Sequence, residues 1–200
     1  VLLEDKLREV MAHLLLSVQG GWAFRAVEGR FSSSINSVVG SLRRSGCFHY
    51  AADGVGTLYL GLNREALLYE VRSQGQDLFL PGLLPPPTHD TVPFLLNLTR
   101  VLDTTDPAVQ SVLETGVQEL TGSWQYENDL YNRRAATQIL ARVVASSGIE
   151  AIRYLSARTA QLVNLAVFVR NVTEPLSASL GPNHLVQNVL SAQQTSELLE

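Results

Sequence analysis

The sequence predicts a single domain of the α+β class, and three observations carry that reading. Helix-period stripes of apolar residues near the start of the chain and around residue 140 are interleaved with period-two runs that read as strands. The 200 residues are 46% apolar and 17% charged, a length and composition suited to one domain with a sizeable core. A single Cys leaves no internal disulfide framework and no Cys-built zinc cage, and it fits a reducing cytoplasm. The net charge of −4 is mild, without the basic patch that nucleic acid or an anionic membrane would require. The apolar run Leu14-Leu15-Leu16 is far too short to span a bilayer, and Glu4, Asp5 and Glu9 spoil a signal-peptide reading.

A helix is expected from about Leu3 to Val18, where Leu3, Leu7, Val10, Leu14 and Val18 recur at three- and four-residue steps, with Gly20-Gly21 ending it. Trp22 to Val27 alternates as a strand, placing Arg25 on one face with Ala23 and Val27 and leaving room for a ligand beside it. By itself an arginine in a strand is an edge charge. Phe31 to Val39 is Ser-rich and reads as a loop leading into a short helix. Thr57 to Leu62 reads as a strand, and Asn63 stands as N-cap ahead of the helix formers Arg64 to Leu68. Glu70 then falls three residues after Leu67 and four after Ala66, so its carboxylate shares an apolar ridge. It is either a helix-edge charge that curls out to solvent or a site carboxylate.

Gln74 to Asp90, with Gly75, Gly82 and Pro85-Pro86-Pro87, is a loop or edge excursion, and Thr91 to Val101 returns as a strand. Asp106 and Pro107 mark the N-cap and first residue of a helix through about Leu113. Within Arg133 to Ser146 the positions Ala136, Ile139, Leu140, Val143 and Val144 form a helical stripe that Gly148 stops. Ile149 to Tyr154 and Asn164 to Val169 read as strands, the second one buried and central. Asn171 to Pro182 is turn-rich, and His184 to Leu199 offers only a weak amphipathic helix.

Common site constellations are missing from the sequence. It has no Gly-x-Gly-x-x-Gly, no Walker loop and no His-Glu-x-x-His, and Gly54-x-Gly56 precedes a strand instead of a helix. His13, His49, His89 and His184 have no short-range ligand spacing, so no metal is expected. Cys47 as a nucleophile has only His49 near it, on the same face of a strand, which is a weak constellation.

Several ordered motifs carry more weight. Phe24-Arg25-Ala26-Val27, then Gly46-x-Phe48, then Leu58-Tyr59-Leu60 with Glu70 eleven positions after the Tyr, resemble the core motifs of the RES-domain family. Arg100 to Asp103 with Thr105-Asp106-Pro107, Leu120 to Trp124, Thr137-Gln138, Ser156-Ala157-Arg158 and Asn164-Leu165 continue the resemblance, which covers about residues 22–169 of a single 1–200 domain and leaves 171–200 as an extension. The resemblance implies an ADP-ribosyltransferase-like mixed fold with a split, antiparallel central sheet flanked by helices. It also implies a bacterial toxin that consumes NAD as substrate by hydrolysis or phosphorolysis of the nicotinamide–ribose bond, or that passes ADP-ribose to a protein. A cognate Xre-type helix-turn-helix antitoxin is the implied partner, with DNA reached only through it, in a homo- or hetero-oligomer.

On that resemblance Glu70 is the carboxylate that stabilises an oxocarbenium-like ribose, Tyr59 packs or hydrogen-bonds the nicotinamide ribose, and Arg25 supplies positive charge. Ser156 is implied to lie against the nucleotide; by itself it is as readily a turn-capping hydroxyl. Cys47 stands where the family's Gly-Gly-Arg-Phe-like run has its arginine, and a thiol cannot fork onto a phosphate as a guanidinium does. Three readings compete: a divergence covered by Arg43, Arg44 or Arg25, the mark of an inactive member acting through its antitoxin, or an inactivating substitution that spares the expression host. The third is slightly favoured by the singularity of that Cys.

Overall fold

The computed structural model describes residues 4–28, 35, 37–64, 67, 89–158, 162–174, 176–178 and 187–189. The first helix, α1 (Glu4–Met11), buries Leu7 and Met11 and stops well short of the Val18 that helical period suggests. By Ser17 the chain already belongs to β1 (Ser17–Glu28). The cause is tertiary: β1 pairs with β3 (His89–Asp103) from Ser17↔Val101 to Glu28↔His89, and that long antiparallel ladder overrides local preference. Gly20-Gly21 therefore lies inside a strand instead of ending a helix, with Gly21 at φ 91° and the ladder's register shift falling earlier, between Ser17 and Gln19.

The remaining elements follow the sequence more closely. α2 (Val39–Arg43) is the short helix after the Ser-rich stretch, and a 3-10 turn at Ala51–Asp53 leads to β2 (Thr57–Gly61). α3 (Pro107–Val112) begins as expected, with the Asp106 carboxylate accepting the Ala108 N–H. Two short helices follow, α4 (Val117–Leu120) and α5 (Trp124–Tyr131). α6 (Ala136–Ser146) buries Leu140, Val143 and Val144 of its stripe, half-buries Ala136 and Ile139, and ends before Gly148, whose φ of 70° is the left-handed stop. β4 (Ala151–Leu155) and β5 (Val163–Phe168) complete the centre of the sheet. Beyond them β6 (Leu176–Ala178) pairs with β7 (Gln187–Val189), a strand where a weak helix was expected. The polar Gln/Ser stretch between Val189 and Leu198-Leu199 breaks the helical stripe, whereas the edge of β6 offers backbone partners.

Among the described residues the sheet runs β1-β2-β5-β4-β3-β6-β7, and the extra β1–β3 pairing closes the first five strands into a ring. The β3–β4 contact is parallel and the others are antiparallel. The ring is nearly split at one seam, where β1 meets β2 through Phe24↔Gly61 alone. Ala23, Leu58, Leu60, Phe94, Leu165 and Val167 share one core cluster, the ring's filling. On the opposite strand face Ile152, Ala166 and Phe168 pack with Leu7, Leu140, Val143 and Val144, which seats α1 and α6 against the wall. Register puts Tyr59 opposite Ala166 and Tyr154 opposite Asn164, so these three polar side chains share the helix-facing side.

Candidate active site

The site is built where the chain turns from Arg44 into β2. Gly46 and His49 bridge through their backbones, and a Cβ on Gly46 would stand 2.5 Å from His49 Cε1 and 2.9 Å from the Tyr59 hydroxyl. Only glycine fits there. From below, fully buried Gln138 on α6 donates from Nε2 to the Gly46 and His49 carbonyls at 2.9 and 3.3 Å. Its Oε1 accepts the Ala135 N–H at 2.9 Å, and its amide pairs with that of Asn128. An amide with its donors and acceptor engaged is rigid, so the loop inherits the position of the helix.

Tyr59 rises from β2 beneath this loop. Its hydroxyl accepts the Phe48 N–H at 2.9 Å and lies 2.8 Å from His49 Nδ1, while His49 Nε2 lies 2.6 Å from the Arg44 carbonyl. Burial pushes the Tyr59 phenol well above its usual range, charge on neighbouring Cys47 adds to that, and the Phe48 N–H partly offsets it. Burial also lowers the His49 imidazole below its ordinary value, against the opposing pull of the Arg44 and Ser41 carbonyls. Tyr59 is thus a neutral phenol beside a neutral imidazole at neutral pH.

Around them opens a cleft of about 750 Å³, within the range of about 300–1,000 Å³ usual for small-molecule sites. β1 contributes Arg25, β2 contributes Tyr59, β4 contributes Tyr154, and the segment from Leu120 to Gln125 brings Trp124 and the first turn of α5. Three arginines line it, Arg25, Arg44 and Arg158, and no carboxylate does so among the described residues. A chain of net charge −4 therefore presents a cationic, aromatic-walled cleft, suited to an anionic ligand with a ring to stack.

The residues singled out in the sequence sit differently from one another. Arg25, Cys47 and Tyr59 all line the cleft and are half-buried. Arg25 is spoken for in part: its guanidinium donates to the Ile35 carbonyl and, at 2.9 Å, to the Ser37 carbonyl, and burial pushes its pKa down to about 10, so it stays charged at neutral pH. Ile35 and Val38 are buried in the ring's core, so Arg25 holds their loop in place. Ser156 is buried, with its hydroxyl accepting the Arg158 N–H at 3.1 Å; it shapes the turn whose next two residues, Ala157 and Arg158, line the cleft. Glu70 lies outside the described residues, although Leu67, three positions earlier, lines the cleft.

His49 and Gln138 are the parts of the site that sequence reasoning undervalued. A histidine ten positions before a tyrosine across a Gly54-x-Gly56 turn was the available signal for the first; the second stands in the Thr137-Gln138 motif, which does not by itself give its role. Among the described residues no group of three or more His, Cys, Asp or Glu could hold a metal ion. None of the described helices is long and apolar enough to cross a membrane.

A family model described as RES domain matches residues 20–183. Among solved structures, a chain of the M. tuberculosis MbcT–MbcA toxin–antitoxin complex superposes with a TM-score of 0.61 at 14% identity, covering 99% of this chain and 98% of that one. At that identity the likeness is one of fold. No curated protein matches the chain.

Proposed function

This chain belongs to the RES-domain family, and from that membership we propose that it is the toxin component of a toxin–antitoxin pair that cleaves the nicotinamide–ribose bond of NAD. The observation that carries the reading is the cleft, in which residues of three separate motifs, Arg25, Cys47 and Tyr59, meet beside Arg44, Arg158 and Trp124. NAD offers what such walls suit: a pyrophosphate for guanidinium groups and two aromatic bases for stacking.

The chemistry is a displacement at the anomeric carbon. The C–N bond to the positively charged nicotinamide breaks with its electron pair leaving on the ring, and a C–O bond forms to water or phosphate, which gives up a proton. The ribose passes through an oxocarbenium-like state that a carboxylate stabilises. Glu70 is the proposed carboxylate and Tyr59 the ribose contact. Arg25 contributes positive potential while holding its loop, and Ser156 acts through the turn that presents Arg158. NAD is the substrate and no metal takes part. The proposed setting is the cytoplasm.

The partner reading rests on the fold likeness to a chain of a toxin–antitoxin complex and on a surface of this chain. Tyr126, Leu130 and Tyr131 are exposed on α5, whose first residues line the cleft, so a protein seated there would cover the entrance. An Xre-type antitoxin with a helix-turn-helix is the proposed occupant, with DNA reached through it and the toxin carried in a hetero-oligomer. Cys47 on the cleft wall supports a second reading, an inactive RES fold acting through that partner alone; ADP-ribose transfer to a protein would use the same bond cleavage. The test is nicotinamide release from NAD in a Cys47→Arg background. Glu70→Gln keeps the shape, removes the charge and is expected to abolish turnover, whereas undiminished turnover overturns the assigned role.

A further inference from the structure

A neutral imidazole carries one N–H, and a carbonyl oxygen can only accept a hydrogen bond. His49 Nε2 lies 2.6 Å from the Arg44 carbonyl oxygen, so the ring's proton is on Nε2 and Nδ1 is bare. Nδ1 must then accept the hydroxyl hydrogen of Tyr59 across their 2.8 Å contact. The Phe48 N–H occupies one lone pair of the same oxygen at 2.9 Å. Each partner fixes the next, and the Tyr59 hydroxyl is left with one lone pair and no hydrogen to give.

We propose that His49 is a positioning residue that locks the Tyr59 hydroxyl as a hydrogen-bond acceptor toward the cleft, selecting a ligand that presents a donor there, such as a ribose hydroxyl. The inference rests on the NAD reading for the identity of that ligand and on the geometry alone for the direction of the hydroxyl. The imidazole has little freedom to turn. Gly46 closes over it so tightly that a Cβ would meet both His49 Cε1 and the Tyr59 oxygen, and Gln138 pins the carbonyls of Gly46 and His49 from the α6 side. Burial favours the neutral ring on which the arrangement depends.

Two substitutions separate the two nitrogens. An Asn side chain sets an amide oxygen near the place of Nδ1 and keeps an acceptor for Tyr59; a Gln side chain sets an N–H near the place of Nε2 and keeps the anchor to the Arg44 carbonyl. Calorimetric titration of the full chain with NAD is expected to show Tyr59→Phe and His49→Gln weakened by about tenfold, the loss of one such hydrogen bond. His49→Asn should recover most of that affinity, and His49→Gln on top of Tyr59→Phe should cost nothing more. The reverse order, with His49→Gln intact and His49→Asn weakened, makes His49 a loop anchor and overturns the proposal.

A second measurement needs neither variant nor ligand. Nitrogen NMR of the labelled chain at neutral pH should show the His49 tautomer with its proton on Nε2, and a proton on Nδ1 overturns the proposal. If the unsubstituted chain fails to bind NAD, the NAD reading falls by itself and the tautomer still decides the direction of the Tyr59 hydroxyl.

Discussion

Glu150 is fully buried, and both of its oxygens are in use. One accepts the N–H groups of Thr99 and Arg100 at 2.6 and 2.9 Å and the Thr99 hydroxyl at 3.2 Å; the other accepts the N–H and hydroxyl of Thr173 at 3.0 and 2.9 Å. Burial by itself would raise its carboxyl pKa, but the hydrogen bonds from Thr173, Arg100 and Thr99 together prevail and hold it below the ordinary range. A lowered folded pKa means that the stabilisation is fully present above the unfolded carboxyl range and is lost as pH falls through the folded value. Glu150→Ala is expected to cost about 3 kcal/mol by denaturant titration at neutral pH, because several donors are left without a partner. Glu150→Gln should show a shallower loss of stability on acidification than the parent; an unchanged acid slope would remove Glu150 from this role. Neither the role of Glu150 nor that of His49 was read beforehand, because their partners come from other elements: Thr99 and Thr173 lie far along the chain, and the Tyr59 contact forms only after the loop folds over β2. Arg25 and Tyr59 were legible as to face, since strand alternation fixes that much. The commitment of Arg25 to two backbone carbonyls was not, because it depends on where residues 35–37 come to rest.

Strand and helix interiors were legible from period, whereas element ends were read well only where a cap marked them. The Asp106-Pro107 start of α3 and the Gly148 stop of α6 survive because a cap is a local interaction between neighbours. The α1–β1 boundary moved because Leu14-Leu15-Leu16 satisfies either period, and the ladder to β3 decided between them. Likewise Gln187–Val189 became a strand by pairing with β6, a partner invisible in the local pattern. Gly148 gives a direct check at this scale. Its φ of 70° is costly for a residue with a Cβ, and that Cβ would also sit 3.3 Å from an Arg100 guanidinium nitrogen. Gly148→Ala is therefore expected to lower stability by about 1–2 kcal/mol in thermal or denaturant unfolding. No loss would mean that α6 does not end on a left-handed residue.

At the scale of the molecule, a ring of five strands with helices against one wall brings residues from distant motifs to one cationic cleft. Interleaved helix and strand periods pointed to the α+β class ahead of the structure, but the closure of the sheet through β1–β3 was not foreseen, since pairing between strands so far apart leaves no local trace. Cys47 carries the central claim, because it stands on the cleft wall where the family's arginine is expected and leaves Arg25, Arg44 and Arg158 as the arginines there among the described residues. The deciding measurement compares NAD consumption by this chain and by Cys47→Arg, each purified and assayed with and without phosphate. The account predicts that the arginine variant destroys NAD and that this chain does so more slowly for want of that phosphate contact, with phosphate dependence separating phosphorolysis from hydrolysis. NAD left intact by both would contradict it and move a protein acceptor or a purely binding role ahead.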